Sequence, residues 1–445
     1  VTAPRGSRLA AAFRLPVAGG FPNLWAAQTV SVFGDQLTLL AIPTLAIVGL
    51  HASPFEAGLL AASGWIAWPI LALPAGVWVD RLNRRRVLVT CDLIRATALL
   101  AVPLAALTVG VTIPLLLIIN TTAGAATVFY DLAYSANVAD LVPAADIPTA
   151  NARLEASRST SFVAGPGLAG LLIGALGAAN AVVLDASSFL VSALLNRRTS
   201  PGSIRTTAAS PRRFRAELAE GARAVLRVPV VLRLMAAAAI SNFGLMFARS
   251  ILLVFAYRTL ELDPFMAGLA LSGTGIGALA GVAACGRLTT TLGVGRTLIV
   301  ASVLQAAAFL LVPVAMLTPA PALVVASSLA LSSFWEVIWN IDAVSVRLVV
   351  LPPQIQGRVA GFVRLAIFGA IPFGGIVGGL VAEVLARPLG DGALGVTIVI
   401  GALIGAVSGL AFIGPSTKPL RRWRFGDPVP GLAAEGVLGA VGAME

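Results

Sequence analysis

The run VSVFGDQLTLLAIPTLAIVGL, Val30 to Leu50, is apolar enough to cross a bilayer, yet it carries one carboxylate, Asp35. If the helix enters the membrane near Leu24, Asp35 lies roughly 16 Å in, at 1.5 Å per residue, which is mid-membrane. An ionised carboxylate there costs about 2.5–3.5 kcal/mol on insertion scales, so such a residue normally faces a cavity or a partner and is a candidate for function. The chemistry open to it is proton exchange. A carboxyl group withdrawn from water holds a proton near neutral pH and releases it when its cavity opens to the other side. A structural hydrogen bond or ion pair, or recognition of a substrate cation without proton traffic, would account for the same residue. Gln28, Ser31, Asp35 and Thr38 share one narrow helical face, which predicts a cavity wall.

Other charges rank behind Asp35 by depth. Glu336 is similarly central in its own apolar run and is the second candidate, for proton coupling or for binding a cation. Asp131 and Asp342 lie nearer one end of their helices and Asp185 nearer the other. Arg249 shares a face with Asn242 and Met246; pairing with an acid across the molecule, binding an anionic substrate and snorkelling to an interface are all open to it. Trp65, Trp68, Trp335 and Trp339 can stack on an aromatic substrate, or serve as packing and interfacial anchors.

The elements that must position these residues follow from composition. The chain has 445 residues, 58% hydrophobic and 11% charged, far from a soluble balance. Apolar runs predict about twelve transmembrane helices, over residues 24–49, 55–79, 87–108, 113–137, 155–177, 179–196, 231–257, 264–286, 297–317, 321–349, 359–386 and 393–414. The fold class is an all-α polytopic membrane protein. The first apolar run is too long for a signal peptide and contains Asp35, so it reads as an uncleaved helix.

The net charge of +11 follows a membrane logic and does not imply nucleic acid. Arg5, Arg8, Arg14, Arg81, Arg84–Arg86, Arg153, Arg158, Arg287, Arg296, Arg347, Arg358, Arg364, Lys418, Arg421, Arg422 and Arg424 fall on alternate loops or the helix ends beside them, as does the basic 197–233 region. The intervening loops hold only Arg258 and Arg387. The positive-inside rule therefore places both termini in the cytoplasm of a cell bounded by this membrane, expected to be a bacterial inner membrane from the arginine-rich, alanine-rich composition. Cys91 and Cys285 lack metal-binding spacing, and both fall near cytoplasmic helix ends, so neither a disulfide nor a metal is expected. No cofactor is implied. The only histidine, His51, is on an external loop, no HExxH or GxSxG motif stands out, and no GxxxxGK[ST] loop is present, which argues against an enzyme and against ATP as fuel.

The chain repeats itself. Ser31, Phe33 and Gly34 recur as Ser241, Phe243 and Gly244, at an offset of 210 that also joins Ala57, Gly58 and Leu59 to Ala267, Gly268 and Leu269, Gly76 to Gly286, and Arg86 to Arg296. At an offset of 206, Arg158, Phe162 and Pro166 match Arg364, Phe368 and Pro372. The repeat predicts two six-helix bundles in the same orientation, related by an axis along the membrane normal. The expected division is an N-terminal segment 1–23, a first bundle 24–196, a linker 197–230, a second bundle 231–414 and a tail 415–445. Around Phe214, Leu218, Val225 and Leu226 the linker is amphipathic, which predicts a helix resting on the inner leaflet. Asp35 aligns with Leu245, so the fold alone does not demand an acid there.

Two motifs carry a resemblance. Gly76-Val-Trp-Val-Asp80-Arg81-Leu-Asn-Arg84-Arg85-Arg86 resembles the GxxxDRxGRR loop of the major facilitator superfamily, with Asn83 replacing a glycine. Gly76 permits close helix approach and Asn83 tolerates a left-handed backbone. Gly165-Pro166-Gly-Leu-Ala169-Gly170 is similar to the GPxxGG element of that family's drug and proton antiporters. The antiporter RxxQG pattern lacks its arginine, the nearest match being Asn120-Thr-Thr-Ala-Gly124. Together with phrases such as "FGDQLTLLAIP", "LVPAADIPTANARL" and "LPPQIQGRVAGFVRLAIFGAIPFGGIVGG", these resemble the branch holding enterobactin-type siderophore exporters and macrolide efflux proteins.

The resemblance implies a cytoplasmic latch in which Asp80 and Arg81 reach the start of span eleven near Gly357 and Arg358, with Asp140 a further partner and Arg84 and Arg85 in the same gate motif; plain positive-inside anchoring accounts for Arg85 and Arg86. It also implies a monomer in the bilayer that exports a small amphipathic organic compound in exchange for protons. A proton-coupled importer of the same fold is the alternative.

Overall fold

The computed structural model describes residues 20–199, 211–390 and 392–413, with five residues of the tail. The segment 1–19, most of the tail and the side chains of Asp80, Phe214 and Leu218 lie outside the described residues. Twelve helices are long and apolar enough to cross a membrane: Phe21–Gly49, Pro54–Ala72, Arg84–Leu107, Ile113–Leu141, Ile147–Leu176, Ala178–Arg197, Pro229–Arg258, Pro264–Leu292, Val294–Leu317, Pro321–Val350, Pro353–Leu389 and Gly392–Phe412. They are numbered below as spans one to twelve. Helix is the form such sequence must take, because hydrocarbon offers backbone amides no other partner.

Turn residues set the boundaries. Ser53 and Glu56 form a reciprocal capping box at the start of span two, with Glu56 N donating to Ser53 Oγ at 3.3 Å and Ser53 N donating to Glu56 Oε2 at 2.8 Å. Asn83 corrects the expectation drawn from its place in the loop motif. Its backbone is extended, at φ −69°, and its side chain accepts from Arg86 N at 3.2 Å, so it starts span three as an N-cap and does not make a left-handed turn.

The two halves touch along two helix crossings that the repeat relates. Gly58 of span two packs on Gly375 and Gly379 of span eleven; its repeat mate Gly268 of span eight packs on Pro166 and Gly170 of span five. Lipid provides no hydrophobic force between helices, so close approach of small residues must do the work. The same device packs span eight on span ten, where Gly273, Gly277 and Gly281 meet the backbone of Ala326, Ala330 and Phe334.

Among the described residues, the apolar and hydrogen-bonded contacts between the halves cluster at one end and the midsection. One apolar cluster joins Ile47 and Ala57 of the first half to Ile251, Phe255, Phe309 and Ala382 of the second, and Leu253 and Leu271 of the second half also pack on the first half's core. Thr44 pairs with Tyr257 at 2.6 Å, and Arg258 donates to the Ala52 carbonyl at 2.7 Å, on the same side. Midway, Phe368 stacks on Trp65 and lies tilted against Trp68. At the arginine-bearing end each half has its own core, one around Phe21, Leu88 and Tyr130, the other around Val231, Leu298 and Val359. Glycines follow the same division. A Cβ on Gly76, Gly286, Gly357 or Gly361 would meet nothing within 4 Å. Gly76 therefore makes no close approach in this state, contrary to its expected role.

The linker helix Pro211–Arg227 is another correction. Ala224, Val225 and Val228 are buried in the second half's core against Ile355, Val359 and Val363, and Gly221 lies against the Arg358 carbonyl. Span eleven therefore covers Val225, while Leu226 is exposed and the side chains of Phe214 and Leu218 lie outside the described residues.

One consequence is testable. A Cβ on Gly58 would sit 2.6 Å from the Gly375 carbonyl oxygen and 2.8 Å from Gly379 Cα. These are backbone atoms of a facing helix, and crowding of that kind costs about 1–3 kcal/mol. Gly58→Val should therefore disfavour this state by about 5- to 150-fold. A Gly357→Cys reporter, with Cys91 and Cys285 replaced by serine, should then react more slowly with a water-soluble thiol reagent; an unchanged rate would mean that the crossing does not set the state.

Candidate functional site

Span one is held on two sides. Towards span five, Trp25 Nε1 and Thr29 Oγ1 donate to Ser157 Oγ at 3.0 and 2.9 Å, and Ser161 donates to the Val32 carbonyl at 2.6 Å. Gln36 is buried against Gly165 of the GPxxAG element. Towards span six, Gly34 touches Asp185 and Ser188, and Thr38 donates to Asp185 Oδ2. Asp35 projects from the remaining face and is exposed.

That geometry divides the expected cavity wall. Ser31 is 1% exposed and Thr38 is committed to span six, so neither lines the open space with Asp35. The two residues sit at one edge of the predicted face, and neighbouring helices cover that edge. Gln28 is half-buried with its Oε1 unpartnered.

Behind Asp35 lies a polar cluster that depth-ranking of charges did not single out. Arg95 and Asp92 of span three form a buried ion pair at 2.5 Å, and the Arg95 guanidinium lies between the rings of Tyr130 and Phe189, 4.2 Å from each centroid. Asp92 Oδ2 also accepts from Ser192 at 2.8 Å and Asn196 at 3.0 Å of span six. The available sequence signal is an acid and a base at i, i+3 within an apolar run. Asp185, wholly buried in span six, accepts from Ser188 at 3.0 Å as well as from Thr38. Asp131 of span four is within electrostatic reach of Arg95 and Arg158.

In the second half, Arg249 of span seven donates to Glu336 of span ten at 3.0 Å, both side chains about one-third exposed. The pair lies within one half, so Arg249 does not bridge the halves and Glu336 is not a free cation site. Arg249 also faces Phe309, 6.0 Å from its centroid. Asn242 donates to the Ala238 carbonyl of its own helix, and Met246 and Trp335 are half-buried. Trp335 keeps an unpartnered indole N–H. Trp339 belongs to the second half's core, 7% exposed, and is packing rather than cavity wall. Asp342 accepts from Thr289 of span eight at 3.0 Å.

At the arginine-bearing end, Arg84 pairs with Asp140 and Arg85 donates to the Thr199 carbonyl at 3.2 Å, both within the first half. Arg358 pairs with Glu220 of the linker helix at 2.8 Å; the expected latch to Asp80 falls on a side chain outside the described residues. Arg81 closes the helix that follows span two, with the Asp80 side chain outside the described residues. The repeat-matched Arg158 and Arg364 are both exposed here. Asn120, where the antiporter pattern has arginine, donates to Leu60 O and Ser63 Oγ at 2.9 Å, fastening span four to span two. Gly165, Pro166 and Gly170 all serve close packing, on span one and across to span eight.

Comparisons with known proteins agree with this architecture. The family model described as Major Facilitator Superfamily matches residues 24–375. The multidrug efflux pump Tap of Mycolicibacterium fortuitum is 28% identical over 375 residues, which cover 81% of this chain and 88% of that protein. An uncharacterized MFS-type transporter of Bacillus subtilis, YfiS, is 26% identical over 275 residues, 61% of this chain and 65% of that one. Among solved structures, a mutant of the nucleoside transporter NupG superposes with a TM-score of 0.70 at 16% identity, covering 88% of this chain and 99% of that one. A D-xylose–proton symporter gives 0.68 at 15% identity, covering 89% and 97%. At such identities the solved structures speak for the fold alone.

Proposed function

The chain belongs to the Major Facilitator Superfamily, and from that premise we propose that it is a proton-coupled exporter of a small amphipathic organic compound. It is a transporter and not an enzyme. The observation that carries the proposal is Asp35: an exposed carboxyl group midway along span one, in a molecule whose halves share an apolar cluster at one end and keep separate cores at the arginine-bearing end. With the arginine-bearing end in the cytoplasm of a bacterial inner membrane, this is the inward-open state. Both termini are then cytoplasmic, and the working unit is one chain in lipid.

The cycle follows from the glycine crossings. Substrate enters from the cytoplasmic side and displaces the proton on Asp35. Rocking about the span two–eleven and five–eight crossings then closes the arginine-bearing end and opens the other. The substrate leaves and Asp35 takes up a proton from outside, which returns the protein inward. Arg249 and Glu336, each about one-third exposed on the second half, and the half-buried Trp335 offer polar and aromatic recognition. Asp80 and Arg81 would latch the cytoplasmic end only in the outward state, for which Arg358 must leave Glu220.

Similarity to a multidrug efflux pump supports export. Import is the second reading, because the same fold holds a D-xylose–proton symporter. Direction decides between them. Metabolites inside cells and in the medium should be compared for the parent strain and a deletion. The expected result is a compound retained inside the deletion strain at several times its parental level; a compound depleted inside would mean import.

A further inference from the structure

Asp185 has no role in the cycle above, yet its placement is specific. It is 0% exposed, packed against span one, and among the described residues its hydrogen-bond partners are hydroxyls and not cations. Its two oxygens accept from Thr38 of span one and Ser188 of its own helix. The charged groups that face it from neighbouring helices are Asp35 of span one and Arg95 of span three. Arg95 is already engaged by Asp92 and held between two rings. An ionised carboxylate sealed from water with hydroxyl partners alone is costly, whereas the neutral acid still accepts from Ser188 and can donate its own proton to the Thr38 oxygen once that hydroxyl turns.

The contact with span one is built for proximity. Gly34, the residue before Asp35, leaves no room for a Cβ because Asp185 Oδ1 and Ser188 Oγ occupy that place. Thr38 stands one helical turn from Asp35, at i, i+3, and its hydroxyl already bonds Asp185. A hydroxyl both donates and accepts, so it can pass a proton on.

We propose that Asp185 is a second proton-binding site, which exchanges its proton with Asp35 through the Thr38 hydroxyl. In the inward-open state Asp35 gives its proton to water or yields to substrate, while the proton on Asp185 remains sealed. When Asp35 is ionised and unoccupied, the Thr38 hydroxyl, which donates to Asp185 here, turns its proton toward Asp35 and accepts from the protonated Asp185; the O–H bond of Asp185 breaks as one forms at Thr38 Oγ, and the original Thr38 proton passes to the Asp35 carboxylate. One O–H bond is lost and one gained at each transfer. The pair thus keeps a proton on the first half between opposite openings. The proposal rests on proton coupling at Asp35.

Infrared spectroscopy of the purified protein in lipid, titrated from mildly acidic to alkaline, tests it without any substrate. The carboxylic C=O bands of wild type, Asp35→Asn, Asp185→Asn and the double variant are compared. Each single variant should lose one titrating band, move the midpoint of its partner's band, and leave neither in the double variant. If Asp185→Asn removes no titrating band, or leaves the Asp35 midpoint in place, the proton exchange is refuted. Should Asp185→Asn not be recovered folded, Thr38→Val in the Asp35→Asn background decides the same point. It should move the frequency of the remaining band, and an unmoved band refutes the assignment. Loss of gradient-driven transport in Asp35→Asn without an Asp185 band would leave Asp35 coupling intact and remove Asp185 alone; coupled bands without gradient-driven transport would do the reverse.

Discussion

Asp92→Leu should destabilise the folded protein by about 3–5 kcal/mol, the usual cost of breaking one side of a buried ion pair, and Arg95→Leu should cost less. The order follows from what each change strands. Without Asp92, the Arg95 guanidinium remains charged, because arginine does not give up its proton in a protein, and it is left between Tyr130 and Phe189 with no anion in contact. The rings recover only part of this, about 2 kcal/mol at best for a desolvated cation–π contact. Ser192 and Asn196 lose their acceptor at the same time. Without Arg95, the Asp92 carboxyl keeps those two donors and can neutralise itself by taking up a proton. Unfolding midpoints in detergent for Asp92→Leu, Arg95→Leu and the double variant give the coupling energy directly. The double variant should be more stable than Asp92→Leu alone. If Asp92→Leu were the milder single change, the pair would not be the charge anchor of spans three, four and six.

The amino-acid sequence shows the helices more fully than their rotations. Spans of about twenty apolar residues can be counted because the bilayer fixes their length, and the repeat is legible because Gly58 and Gly268 do the same packing work at matched positions. Asp35 is legible because a lone carboxylate in hydrocarbon needs a reason. Partners are not legible. Depth along a helix places Asp185 nearer the external end, but only tertiary packing turns it onto Gly34 and Thr38. The same limit hides the Arg249–Glu336 pair, whose members are 87 residues apart. Trp339 illustrates the converse: an indole in a membrane span satisfies a core as readily as a cavity, and the neighbours Val231 and Leu298 decide it. Amphipathic pattern in the linker helix shows that Val225 must be covered without showing by what.

Asp35→Asn should abolish accumulation driven by a pH gradient while leaving exchange of substrate for substrate. The two readouts separate coupling from mere structure. If one proton crosses per transport cycle, each unit of pH difference is worth about 1.36 kcal/mol, or about a tenfold concentration ratio of substrate across the membrane. Asparagine matches the shape of aspartate but carries no exchangeable carboxyl proton, so in reconstituted vesicles that ratio should fall from about tenfold per pH unit to about one. Exchange needs only the loaded protein to rock, and Asp35 is bonded to neither span five nor span six by any contact that holds span one in place. The holding contacts belong to Trp25, Thr29, Gln36 and Thr38, which the substitution spares. The substrate for both assays is the compound that the deletion strain retains. Asp35→Glu, which keeps an acid on a longer stem, should restore part of the gradient dependence. Accumulation that survives in Asp35→Asn with its pH dependence unchanged would move the coupling acid elsewhere. Loss of exchange as well would make Asp35 a residue of the substrate site, where its exposure on the inner face of span one would equally place it.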